Sequence, residues 1–264
     1  MKVRAVCRRA GSRQRTGGKK ANLRCDTGLM QKETHRPPSL RWALGLAACL
    51  LLTGAGQAAS MVTPKQQADL DAAVAAYKRG RLVEARQRLR PLAAQGVPAA
   101  QFNLAVMHLR GELIPADVQQ AQRLLEQSAA GGFVTAMFSL GQAFEAGQFG
   151  KPDLPVSYRW YLLAANAGSV PAQVAVATAH YLGRGAVKDA ALAARWYREA
   201  AKGGDVGAQY LLASMYEQGD GVPLDLRLAR DWYEAAAGQG DEAAPGKVKE
   251  LDARLAATST TARP

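Results

Sequence analysis

The sequence predicts an all-α fold, an α-solenoid of stacked antiparallel helix hairpins. Ladders of residues with a common period of 36 predict it. Glycine recurs at Gly96, Gly132, Gly168, Gly204 and Gly240, and in a second series at Gly111, Gly147, Gly183 and Gly219. Ala100, Ala136, Ala172, Ala208 and Ala244 keep the same step, as do Asp117, Asp153, Asp189 and Asp225. The aromatic pairs Trp160-Tyr161, Trp196-Tyr197 and Trp232-Tyr233 follow it too, with Leu124-Leu125 in the earlier slot. A fixed period of this length marks an architecture in which one supersecondary unit is copied along the chain.

One unit is read from residues 172–207. Ala172, Val176 and His180 stand at i, i+4 and i+8, on one face of a first helix, helix A. Gly183 and Gly185 end that helix and permit positive φ in the turn. Asp189 directly precedes the next periodic run and is placed to cap helix B. Ala193, Trp196, Tyr197, Ala200 and Ala201 then form an amphipathic stripe, in which the alanines allow close helix approach and the aromatics fill the space between layers. A hairpin of this kind cannot bury its apolar face alone, so stability comes from stacking on its neighbours.

In chain order, residues 1–29 form a basic leader with Asp26 as its one acid, read as upstream of a true start at Met30. Residues 30–59 read as an export signal: Lys32, Arg36 and Arg41, then the apolar run Trp42 to Thr53, then Gly54, Ala55, Gly56, Ala58 and Ala59, with cleavage expected after Ala58 or Ala59. A run of that length spans about 18 Å as a helix, short of a hydrocarbon core of about 30 Å, so no transmembrane span is expected in the mature form. Leu46-Ala47-Ala48-Cys49 offers an alternative, a lipid-anchored N-terminus at Cys49. A degenerate unit at 65–99, with its loop contracted around Gly80, precedes full units at 100–135, 136–171, 172–207 and 208–243. Pro245 and Gly246 are expected to separate the array from a capping helix at 247–257, and 258–264 reads as a disordered tail.

Charge argues against nucleic acid as the partner. The formal net charge is +12, but residues 1–59 hold 12 of the 34 Lys and Arg and 2 of the 22 Asp and Glu, leaving 22 against 20 beyond them. A near-neutral folded part lacks the phosphate-neutralising term that dominates nucleic-acid affinity. Cys7, Cys25 and Cys49 all precede residue 60, so the mature chain has no thiol, which fits an oxidising compartment.

Other constellations are read as structural. His108 and His180 occupy the helix A slot that holds Phe144 and Tyr216 elsewhere, which makes them replacements for core aromatics and not metal ligands. The aspartate ladder reads as helix caps and the tryptophan ladder as core. Gly183-Arg184-Gly185 lacks the strand and Lys-Ser/Thr context of a phosphate loop. No catalytic, cofactor-binding or metal-binding residue is assigned, and no cofactor is expected.

The unit at 136 (Ala136, Leu140, Gly141, Phe144, Gly147, Asp153, Trp160, Tyr161, Ala164, Ala165, Gly168) and the unit at 208 (Ala208, Leu212, Tyr216, Gly219, Gly221, Val222, Asp225, Ala229, Trp232, Tyr233, Ala236, Ala237, Gly240) resemble the Sel1-like repeat, a relative of the tetratricopeptide repeat. The resemblance covers residues 65–245, and the unit at 100 departs from it with Leu124, Leu125 and His108. It implies an exported scaffold for protein–protein interaction in the bacterial envelope, not an enzyme, working as a monomer in the periplasm or after secretion. Two other readings stay open: a lipid-anchored protein of envelope or polysaccharide assembly, and an enzyme acting on β-lactams or peptidoglycan. The resemblance further implies a concave face lined by helix A. The stripe offset by two residues from the core stripe then faces a protein or extended peptide segment: Phe102, Phe138, Val174 and Tyr210, then Val106, Gln142, Thr178 and Ser214, then Leu109, Glu145, Tyr181 and Glu217, with Arg110 and Gln218 at the edge.

Overall fold

The computed structural model of the protein describes residues 62–112 and 115–261, with side chains as far as Ala257. The leader, the export signal and Cys49 lie outside the described residues. Eleven helices and no strand occur among the described residues. They are α1 (Pro64–Lys78), α2 (Leu82–Ala94), α3 (Pro98–Leu109), α4 (Val118–Ala130), α5 (Val134–Glu145), α6 (Leu154–Asn166), α7 (Val170–Leu182), α8 (Ala190–Lys202), α9 (Val206–Gln218), α10 (Leu226–Gly238) and α11 (Ala244–Thr261). Each helix packs on the one before it and the one after it. Odd-numbered helices are helix A of a unit and even-numbered ones helix B. The described array holds its own core, with buried apolar residues from Leu70 to Leu251.

Helix boundaries follow local chemistry. The aspartate ladder caps helix B in all four full units. Asp117, Asp153, Asp189 and Asp225 accept from the backbone N–H of Gln120, Val156, Leu192 and Leu228 at 2.8, 3.0, 2.8 and 2.9 Å. Each such cap contributes about 1 kcal/mol. In three units the same aspartate's N–H donates to the carbonyl of the helix A aromatic-slot residue, Phe144, His180 or Tyr216, which closes the loop. In the unit at 100 the N–H of Asp117 instead reaches Nδ1 of His108 at 3.3 Å.

The core is built from the expected stripes. Ala172, Val176 and His180 are buried, as are Ala164, Ala165, Ala200 and Ala201. Of each aromatic pair, the tyrosine goes in deepest. Tyr161, Tyr197 and Tyr233 are buried, while Trp160, Trp196 and Trp232 are half-buried, correcting the expectation that the tryptophans are full core residues. The tryptophan lies at the flank of the helix B stripe and joins units. Trp196 packs against two clusters, one spanning α6–α7 and one spanning α7–α11. Buried serines add polar ties between backbone and stripe: Ser128 Oγ donates to the Pro98 carbonyl at 2.8 Å and Ser157 Oγ to the Gly141 carbonyl at 2.7 Å.

Two expectations about the C-terminus change. Pro245 and Gly246 do not separate a capping helix from the array, because α11 begins at Ala244 and takes both into its first turn. Proline is tolerated there because the first N–H groups of a helix have no intrahelical acceptor. Asp241 supplies the start instead, accepting from the N–H of Ala244 at 2.8 Å. The helix also carries the chain to Thr261, so residues 258–261 are helical and not a disordered tail. Ala244 continues the alanine ladder, so α11 stands in the helix A position of a sixth unit.

Two glycines separate the demands of backbone and of packing. Gly204 has φ of +88° with open space around a Cβ. Gly221 has φ of +70°, and a Cβ there would stand 2.3 Å from the Ala190 carbonyl carbon of the preceding unit. Gly204→Ala is expected to cost about 1–2 kcal/mol, the left-handed backbone penalty. Gly221→Ala adds an overpacking cost of about 1–3 kcal/mol. Thermal unfolding of the two variants checks this, and equal melting temperatures would contradict the close contact between units.

Candidate functional site: the outward face of the A helices

The positions offset from the core stripe lie at the edge of the core and are mostly half-buried. Val106, Leu109, Phe138, Gln142, Val174, Thr178, Tyr181, Tyr210, Ser214 and Glu217 are half-buried, and Arg110, Glu145 and Gln218 are exposed. Phe102 is the exception. It is only 5% exposed and packs on Phe133 at 5.3 Å between ring centroids, so it belongs to the core and presents no ring to a partner. Phe138 leans on Tyr161 at 5.5 Å and Tyr210 meets Tyr233 edge-on at 4.9 Å. These two rings serve the hairpin as well as its surface.

A second row of contacts runs along the loop end of this face. Tyr161 Oη donates to Glu145 Oε2 at 2.8 Å, and Tyr233 Oη donates to Glu217 Oε2 at 2.9 Å. In the unit between them Tyr197 shares a 3.0 Å hydrogen bond with Thr178, which also donates to the Val174 carbonyl. Tyr77 of the first unit donates to Glu112 at 2.7 Å and accepts from Arg110 at 2.6 Å. Sequence reading placed these glutamates on the face but missed their tyrosine partners. The signal was present: Glu and Tyr occur together in the units at 136 and 208, whereas the unit at 100 has Leu109 and Leu125 in both slots.

The two glutamates differ in surroundings. Glu217 is 10% exposed on its side chain and receives Lys247 at 3.2 Å and Arg254 at 3.0 Å, both from α11. Glu145 is 44% exposed, with Arg184 at 3.9 Å. Burial, then the adjoining carboxylate, pushes Tyr161 and Tyr233 well above the ordinary tyrosine value. Burial also raises Tyr77 and Tyr197, and the hydrogen bond to Asp220 raises Tyr181.

His108 and His180 both make hydrogen bonds within the array. His180 is buried, with Nε2 2.9 Å from Tyr158 Oη and Nδ1 3.0 Å from the Val187 carbonyl, so both ring nitrogens are engaged. Burial lowers the pKa of His108. Among the described residues no group of three or more His, Cys, Asp or Glu is placed to hold a metal ion. A cleft of about 620 Å³ lies between α1 and α2 at the N-terminal end, lined by polar residues including Gln66, Asp69, Arg88 and Gln95.

A Sel1 repeat model matches residues 98–133, 134–169, 170–205 and 206–241. The chain belongs to the Sel1 repeat family. The matched units begin two residues before the alanine ladder, where α3, α5, α7 and α9 begin. Sel1 repeat proteins are generally scaffolds for protein–protein interaction. Among solved structures, c5321 of uropathogenic Escherichia coli, a protective antigen with an SLR fold, is 29% identical, with a TM-score of 0.65 over 70% of this chain and 41% of that one. A Sel1 repeat protein from Oxalobacter formigenes is 34% identical, with a TM-score of 0.59 over 64% of this chain and 49% of that one. The chain thus spans less than half the length of either relative. No curated protein matches the sequence. Among the described residues, no helix of this Sel1 chain is long and apolar enough to cross a membrane.

The buried tyrosines set an alkaline limit on the Sel1 array. Their native values are raised above 10, so below pH 10 both folded and unfolded chains hold the proton and stability is unaffected. Above it the unfolded chain loses the proton first, and stability falls with rising pH by up to about 1.4 kcal/mol per pH unit for each tyrosine. Tyr161→Phe with Tyr233→Phe is expected to flatten that fall, at a cost of about 1 kcal/mol per lost hydrogen bond at neutral pH. Urea unfolding at a series of pH values between about 9 and about 12, from roughly one unit below the ordinary tyrosine value to roughly two above it, measures both effects.

Proposed function

We propose that this Sel1 array is an exported scaffold of the bacterial envelope that mediates protein–protein interaction without catalysing a reaction. It works as a monomer, periplasmic or secreted, and holds a protein or extended peptide segment along a concave face formed by the A helices. The observation that carries this reading is the outward stripe of α5, α7 and α9. Its side chains are half-buried or exposed along three successive units, backed by the helix B tyrosines at Phe138, Thr178 and Tyr210 and by α11 at Glu217. The face mixes aromatic, polar and acidic groups, and aromatic anchors with a polar rim suit a flexible partner segment. The export signal in the sequence supports the compartment.

Photo-crosslinking groups at Gln142 and Ser214 test the surface, with the same group at Arg159 and Arg195 of helix B as the control. Envelope extracts are expected to give a discrete adduct from the first pair alone. Adducts from the helix B pair alone would move the binding face to the other side of the array.

Maturation tests the compartment. The N-terminus of the exported protein is expected at Ala59 or Ser60, and Cys49→Ala is expected to leave fractionation unchanged. A Cys49→Ala variant that leaves the membrane fraction would establish the lipid-anchored form instead.

A further inference from the structure

Charge is distributed unevenly along the array. Residues 62–112 carry eight Lys and Arg against four Asp and Glu, whereas residues 115–257 carry thirteen against sixteen. The excess is concentrated on α2 and the turn leading into it. The buried stripe of α2 is Ala85, Leu89, Leu92 and Ala93. Val83, Arg86 and Arg90, spaced i, i+3 and i+7, form a stripe on a different face, with Arg79 in the turn just before it. Val83 is 63% exposed. The same positions one unit on hold Gln119, Gln122 and Glu126, so this cationic stripe belongs to the first hairpin.

Among the described residues these cations have no acidic partner. Glu84 is the one acid of α2, and it is occupied by Arg81 at 2.9 Å and Arg88 at 3.2 Å. Among the described residues Arg79, Arg86 and Arg90 have no carboxylate at ion-pair distance, and Arg86 Nε is buried without a hydrogen-bond partner. Guanidinium groups are weakly hydrated and match phosphate oxygens in a bidentate fork. An exposed valine set among them favours a surface with an apolar interior beneath its anionic groups. A nucleic-acid track is disfavoured, because the residues that follow are net acidic.

We propose that the first hairpin docks the array on an anionic phospholipid surface, with Arg79, Arg86 and Arg90 on headgroup phosphates and Val83 at the interface between them. This surface is separate from the helix A face and does not depend on what that face binds. The array from Ser60 to Pro264 tests it by cosedimentation with phosphatidylcholine vesicles, with and without phosphatidylglycerol. Binding is expected only with phosphatidylglycerol, and salt is expected to weaken it. Arg79→Gln/Arg86→Gln/Arg90→Gln is expected to lower the partition coefficient roughly 100-fold. The charge-matched control Arg123→Gln/Arg159→Gln/Arg195→Gln is expected to leave it within about twofold. Should the first triple variant lose helicity by circular dichroism, Arg79→Gln/Arg90→Gln removes two exposed cations and is expected to lower binding at least roughly tenfold. Equal losses in both triple variants, equal binding to uncharged vesicles, or binding to a soluble polyanion but not to vesicles would overturn the proposal.

Discussion

The last three full units depend on the joint made by the helix B tyrosine against its own helix A. A Cβ at Gly141 would stand 2.4 Å from the Tyr161 ring, so that ring lies directly over the backbone of α5. The corresponding helix A positions hold Ala105, Ala177 and Ala213, all fully buried. Small residues there let the two helices close, and the aromatic ring then fills the gap that short side chains leave. Close packing of this kind leaves little room for adjustment, since interiors approach the density of organic crystals. The joint also carries a polar end. The tyrosine hydroxyl reaches the last turns of helix A, at Glu145, Thr178 or Glu217, and fixes the register of the hairpin while its ring fixes the spacing.

That joint shapes the face proposed to hold a partner. A carboxylate held by a tyrosine hydroxyl at the end of helix A does not wander over many rotamers, so less side-chain entropy remains to be lost when a partner binds. The half-buried state of Phe138 and Tyr210 has the same root. Each rests on the tyrosine of its own hairpin, and each exposes only the part of its ring that the joint does not need. A surface built this way offers a row of fixed, partly apolar positions along a series of rigid helices. It suits an extended chain that can touch several units in turn better than a small molecule that needs enclosure.

The fold was legible because the period places several independent kinds of residue in one register. The glycine, alanine and aspartate ladders each have a local cause: a positive φ, a close approach and a cap. The caps and the histidine environments follow from that register. Depth within the stripe was harder to read. Trp196 and Tyr197 are neighbours on one helical face, and periodicity alone does not say which turns inward. The hydrogen bond decides it, because a tyrosine can be buried with its hydroxyl paired to Thr178 or a glutamate at the far end. Phe102 was misplaced for a related reason. The offset stripe is open in the interior units, but in the first full unit Phe133 closes over it. The C-terminal boundary was misread because a proline was taken as a break, when at the second position of a helix it costs nothing.

The outermost described hairpins depart from the interior pattern. Every interior unit offers an apolar face that would accept another copy, so an unmodified end would invite further stacking. At the N-terminal end Arg88 stands in the slot that Leu124, Trp160, Trp196 and Trp232 fill further along. Paired with Glu84, it replaces the bridging ring with a charge, and an added unit would have to bury it. At the C-terminal end α11 repeats the helix A pattern at Ala244 and Leu251, both fully buried, but no helix B follows it among the described residues. Its Lys247 and Arg254 are spent on Glu217, and Asp252 receives Arg230 from α10 at 2.8 Å. Ion pairs thus tie α11 to α9 and α10 beside the apolar contacts of Ala244 and Leu251. At neither end of the described array is the interior joint repeated unchanged: a paired arginine stands in the bridging-ring slot at one, and ion pairs tie the outermost helix to its neighbours at the other.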